Sequence, residues 1–199
     1  WTDVLDRAGR FDLAVFTYVF SHRLAPRIDA ARAAHFCQGF EGYAPHLGDF
    51  ADEIDRFYRA LPDTICVSEE LATLCRERFG KRCAVITPMV EDRFQPIDRP
   101  PPGAVRSLLI PGIFEMYTKG VEMALDVAAR IAERQRIEIV RLSTFPQSEE
   151  ERRRFPPSRF LCGESPASVA ATMQRMDLTV TLPTGEEGFG LPALESLAS

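Results

Sequence analysis

The stretch Leu178-Thr179-Val180-Thr181-Leu182-Pro183-Thr184-Gly185-Glu186-Glu187-Gly188-Phe189-Gly190-Leu191-Pro192-Ala193-Leu194-Glu195 carries the most structural information in the chain. An apolar, β-prone run ends at a proline, an acidic and glycine-rich loop follows, and a helix opens near Leu191. Pro192 falls in the first turn of that helix, where a missing N–H costs nothing. Strand, glycine loop and helix in that order make one step of an open α/β sheet. Ligands of such sheets bind off the carboxyl ends of the strands, in loops of this kind. Gly188 and Gly190 let the backbone approach a ligand closely, and amides at a helix start face an anion. Phosphate or pyrophosphate is the natural occupant. Glu187 and Glu195, with seven residues between them, flank that anion. Carboxylates repel phosphate, so their targets are hydroxyls. Vicinal sugar hydroxyls donate to a carboxylate in strong, charge-assisted contacts.

Outward from this step, strand and helix signals alternate along the whole chain, which marks parallel sheets with crossover helices. Residues 12–19 form a continuous apolar run expected to be a strand buried on both faces; residues 33–37 give a shorter one. Phe50, Ile54, Phe57, Tyr58 and Leu61 recur at helical spacing and predict a helix over residues 49–60. Residues 63–67 read as a strand. Ser68 then caps a helix with Glu69 and Glu70 in its first turn and Gly80 at its end, and residues 83–87 form the next strand. Residues 96–103 hold four prolines in eight positions, which predicts a linker. The alternation restarts beyond it, with a strand at 107–110, a helix through Val121 to Ala132 and a strand at 137–142. A helix capped by Ser165 follows, with Val169, Met173 and Met176 as its buried stripe. The fold class expected is α/β, with two Rossmann-like parallel-sheet domains at 1–95 and 104–199. The chain opens on Trp1 and stops at Ser199 within a helix, so both domains read as truncated.

The composition, 45% hydrophobic and 27% charged with a net charge of −5, allows a full core and shows no basic stripe for nucleic acid. The run Glu149-Glu150-Glu151-Arg152-Arg153-Arg154 cancels itself and reads as a solvated face. Five cysteines are scattered, odd in number and never spaced Cys-x-x-Cys. That suits neither a disulfide framework nor a zinc knuckle, and predicts a reducing, cytoplasmic compartment. The longest apolar stretch, residues 13–20, is too short to span a bilayer. No Asp-x-Asp and no metal-spaced cluster occurs, so no metal is expected. No Gly-x-Gly-x-x-Gly follows a candidate strand, which disfavours a dinucleotide-dependent oxidoreductase.

Residues 183–195 resemble the Glu-x7-Glu signature of the retaining glycosyltransferases of family four, which adopt the two-Rossmann GT-B fold. Ile65-Cys66-Val67-Ser68-Glu69-Glu70-Leu71 is similar to that family's strand-to-helix step in the first domain. Val85-Ile86-Thr87-Pro88 through Phe94-Gln95-Pro96 looks like its crossover into the second. Phe160-Leu161-Cys162-Gly163, Val169-Ala170 and Met176-Asp177 follow its order before the signature loop. The resemblance implies an acceptor-side domain, then a donor-binding domain. It also implies transfer of a hexosyl group from a nucleoside diphosphate sugar with retained anomeric configuration, without metal or cofactor.

In that scheme Glu187 is the catalytic residue, bonding the donor sugar hydroxyls close to the reacting carbon. Amides around Gly188, Phe189 and Gly190 hold the sugar and diphosphate, and Glu195 accepts from the ribose hydroxyls. Lys119, in Thr118-Lys119-Gly120, neutralises the diphosphate as it gains charge on departure. Two positions depart from the pattern. Gly112-Ile113-Phe114 stands where the family has an arginine after glycine, in a loop one residue longer. Gln38 occupies the place of a histidine near the donor sugar; it can bond a sugar but cannot titrate. His35 is expected to pack into or beside the sheet. The implied partners are a nucleotide-sugar donor and a glycan, lipid or protein acceptor, as in polysaccharide, glycolipid or glycoprotein assembly. The implied location is cytoplasmic, with peripheral association at the inner membrane face left open. Two other readings stay open: a nucleotide-sugar-binding or scaffolding module that has lost its chemistry, and a glycoside hydrolase, which also uses paired carboxylates.

Overall fold

The computed structural model describes residues 9–99, 101, 103–184 and 188–199. The chain divides after Pro88 into two compact units.

In the first unit four strands, β1 (Ala14–Phe16), β2 (Ala33–Cys37), β3 (Asp63–Cys66) and β4 (Arg82–Val85), form a parallel sheet in the order β1-β2-β3-β4. Helix α1 (Ala51–Ala60) buries Ile54, Phe57 and Tyr58 of the predicted face, while Phe50 stands exposed before its first turn. Helix α2 (Glu69–Phe79) starts where the Ser68 hydroxyl accepts the Leu71 N–H at 3.3 Å, and stops at Gly80. Gly80 has φ 65°, a left-handed conformation that favours glycine. Residues 12–19 differ from the expected doubly buried strand. Only Ala14–Phe16 pair, and they pair at the sheet edge with Leu13 and Val15 exposed. The last residue of the run, Val19, already opens a 3-10 helix, Val19–Arg27. An unbroken apolar run cannot by itself distinguish a central strand from an edge.

In the second unit β5 (Arg106–Pro111), β6 (Ile137–Ser143), β7 (Arg159–Cys162) and β8 (Leu178–Thr179) form a parallel sheet in the order β7-β6-β5-β8. Its helices are α3 (Val121–Ala132), α4 (Glu149–Arg154), α5 (Pro166–Met173) and α6 (Leu191–Leu197). Side chains alternate across β5, so each sheet face has its own core. Leu108 and Ile110 pack with Val121, Leu125 and Phe155 on one face; Leu109 packs with Phe94, Val140 and Met173 on the other. The chain steps outward from β5 to β6 and β7, then returns to place β8 on the other side of β5. Such a reversal opens a crevice off the carboxyl ends of the two strands that flank it.

Three local departures from the sequence expectations bear on this unit. The strand expected over 178–182 pairs only at Leu178–Thr179; the Val180 N–H still donates to Leu109 O at 2.9 Å before the chain leaves the sheet. Residues 89–95 pack on the second unit: Phe94 is in its core, and Gln174 Nε2 donates to Arg93 O and Gln95 O at 3.1 and 2.9 Å. The run 149–154 is not a uniformly solvated face. It forms α4, capped by the Ser148 hydroxyl, and Glu151 is 2% exposed. Among the described residues, no helix is long and apolar enough to cross a membrane.

Candidate functional site

A cleft of about 280 Å³ opens in the crevice beside β5. Its floor comes from the strand ends: Pro111, Gly112 and Ile113 after β5, and Leu142, Ser143 and Thr144 after β6. Lys119, Glu164, Met173 of α5, and Pro192 and Glu195 of α6 complete the lining. Lys119 and Glu195, far apart in sequence, thus share one cavity.

Local backbone chemistry explains how Lys119 arrives there. Tyr117–Lys119 form a single 3-10 turn ending at Gly120, whose φ is 61°. A Cβ on Gly120 would lie 1.9 Å from Leu182 O, so only glycine lets the loop after β8 run against this turn. The Thr184 N–H donates to Thr118 O at 3.0 Å and fastens the two together. Gly112 has φ 124°, and a Cβ there would meet Val121 Cγ2 at 2.9 Å and Lys119 Cβ at 3.4 Å. Two glycines therefore bring three backbone segments into contact around the lysine.

Beneath the cleft lies a group that sequence spacing did not single out. Arg141, on β6, is completely buried. Its Nε donates to Glu151 at 2.6 Å, and its Nη2 donates to Gly112 O at 2.9 Å. Nη1 donates to Ile110 O. One guanidinium thus fixes the carboxyl end of β5, and Glu151 supplies the charge that makes its burial tolerable. The sequence signal was present, as an arginine between Val140 and Leu142 in a strand.

At the start of α6, Gly190 takes φ 79° and ψ 44°. Pro192 has no N–H, and the Ala193 and Leu194 amides donate to Gly190 O at 3.0 and 3.4 Å. Burial raises the Glu195 carboxyl above the usual glutamate range, and the negative charge of Glu91 adds to the rise. Glu187 lies outside the described residues. Gln38 stands exposed just past the end of β2, in the first unit. His35 is buried against Phe57 and Tyr58, as expected of a packing residue. Burial, with Lys81 adding to it, holds its imidazole down at about 4. Phe114, in the loop without the arginine, is buried in the second unit's core.

Neither family models nor curated proteins match the chain. Solved structures do. Sucrose-phosphate synthase from Thermosynechococcus elongatus aligns with a TM-score of 0.68 at 18% identity, over 94% of this chain and 53% of that one. A glycosyltransferase from Rickettsia africae ESF-5 gives 0.64 at 14% identity, over 94% and 55%. TarM from S. aureus, in a complex that includes UDP, gives 0.64 at 11% identity, over 93% and 39%. The fold is the GT-B glycosyltransferase fold. The chain spans about half the length of the first two structures, and identities this low establish architecture alone.

Proposed function

We propose that the second unit binds the donor of a glycosyl transfer, a nucleoside diphosphate sugar. The observation that carries this reading is the shared cleft, with a lysine and a carboxylate converging off the strand ends where the sheet order reverses. Lys119 meets the diphosphate, and loop amides at Gly188, Phe189 and Gly190 bond its oxygens and the sugar. Glu195 accepts from the ribose hydroxyls. Half-buried and held in place by the fold, these groups lose little reorganisation energy as charge builds on the leaving group.

The finer assignment follows the Glu-x7-Glu resemblance: hexosyl transfer with retention, Glu187 bonding the sugar at the reacting carbon, and Gln38 as a further donor-binding residue. Lys119 and the amides take the leaving-group charge in place of a metal. The acceptor would be a glycan, lipid or protein. Five free cysteines agree with a reducing, cytoplasmic setting, which leaves room for contact with the inner membrane face.

The test is a melting-temperature screen of the 199-residue chain against UDP-, GDP-, ADP- and dTDP-glucose, because a ligand that binds only the folded state raises its stability. One nucleotide sugar should stabilise the chain, and Lys119→Ala should weaken its binding at least tenfold by calorimetry. If no member of the panel binds, the donor-site assignment is wrong. The absence of an arginine from the Gly112-Ile113-Phe114 loop favours a second reading, a donor-binding module without turnover. Binding without release of nucleoside diphosphate would select it.

A further inference from the structure

The first unit holds a cluster that the spacing of its cysteines concealed. Cys37 and Cys66 are register partners on β2 and β3, so their side chains share one face of the sheet. Cys75 of α2 packs onto that face. All three are fully buried, and their sulfurs lie within 4.8 Å of one another. Three sulfurs around a metal at about 2.3 Å stand roughly 4 Å apart, so small side-chain adjustments close such a site.

The neighbourhood also holds an unbalanced charge. Lys81 is 5% exposed. Its Nζ donates to Thr64 Oγ1 at 2.9 Å, lies 3.4 Å from His35 Nδ1 and sits over the Tyr58 ring at 5.3 Å. Among the described residues no carboxylate is within ion-pair distance of it; burial lowers its pKa, and the neighbouring cysteines are the groups that offset this. A buried ammonium is stable only near a compensating anion. Thr64 and His35 stand on the same sheet face as Cys66 and Cys37, so ammonium and sulfurs share one interior compartment.

We propose that Cys37, Cys66 and Cys75 form a three-thiolate site for a soft divalent cation of the zinc group, with Lys81 as its counter-charge. Binding replaces three S–H bonds with three metal–sulfur bonds and releases three protons. The resulting group carries one negative charge, which the Lys81 ammonium balances. Thiolate donors select soft, filled-shell cations over magnesium or calcium. This site is independent of the donor cleft, which lies in the other unit.

The test is titration of the reduced, chelator-treated chain with Cd(II). Thiolate-to-cadmium charge-transfer absorbance and elemental analysis should give one ion per chain with three sulfurs bound. Zn(II) should compete. Cys37→Ala, Cys66→Ala and Cys75→Ala should each lose the signal while Cys83→Ala and Cys162→Ala keep it, with circular dichroism confirming that each is folded. Lys81→Met leaves every sulfur in place and should weaken Cd(II) binding at least tenfold. A folded wild-type chain that shows no charge-transfer band, or one whose band depends only on the exposed Cys162, overturns the proposal.

Discussion

Two glycines with nearly the same backbone angle separate local strain from site geometry. Gly80 has φ 65° and open space where a Cβ would stand, whereas Gly120 has φ 61° and Leu182 O in that place. Gly80→Ala should cost about 1–2 kcal/mol, the left-handed penalty alone. Gly120→Ala adds a backbone collision and should cost roughly 2–5 kcal/mol. It should also weaken donor binding, because the loop that must retreat is fastened beside Lys119 through Thr184. Urea unfolding of both variants, with donor titration of the folded fraction, checks this. Equal costs would mean that the loop yields freely.

Glu195 gives a pH prediction at the same scale. Its ionised form is the one that accepts from hydroxyls, and burial, then Glu91, raises its pKa. Donor affinity should therefore fall with acid through a midpoint above the ordinary glutamate range. Glu91→Gln should move that midpoint down. The stability effect has the opposite sign: a raised carboxyl binds its proton more tightly when folded, so its ionisation costs stability as pH rises. Calorimetric affinities between pH 4 and 8 would show whether the midpoint moves with Glu91.

Among the elements, β6 and α4 are coupled through Arg141 and Glu151. Removing one partner of a buried ion pair leaves the other charged and unpaired, so Glu151→Ala should destabilise by about 3–5 kcal/mol. Its neighbour Glu150 makes an exposed pair with Arg154, and Glu150→Ala should change stability by less than about 1 kcal/mol. Urea midpoints decide it. Similar small losses in both would show that Arg141 holds the carbonyls of Ile110 and Gly112 without a counter-ion. Glu151 also shows where sequence alone stops. A run of three acids and three bases gives no hint which acid faces inward. Its partner is on the preceding strand.

Over the whole molecule, what could be read from sequence was whatever a short window determines. Caps at Ser68 and Ser165, the left-handed stop at Gly80, the apolar stripes of α1 and α3 and the opening of α6 at Leu191 all follow from neighbouring residues. Strand order does not, so the edge position of residues 14–16 and the meeting of three cysteines were hidden. The place of Lys119 in the cleft depends on Gly112 and Gly120, whose close approaches no short window of sequence reveals. Because each unit has its own core, two ligands of unlike chemistry should protect different halves of one chain. At a hundredfold excess over its Kd, either ligand adds about 2.7 kcal/mol to the unit that binds it. In limited proteolysis read by peptide mass, Cd(II) should slow cleavage within residues 9–88, and the stabilising nucleotide sugar should slow cleavage within residues 89–199. Protection by either ligand that spreads evenly over both ranges would mean that the two cores unfold as one cooperative body, and the separate assignment of sites to units would then have to rest on the point variants alone.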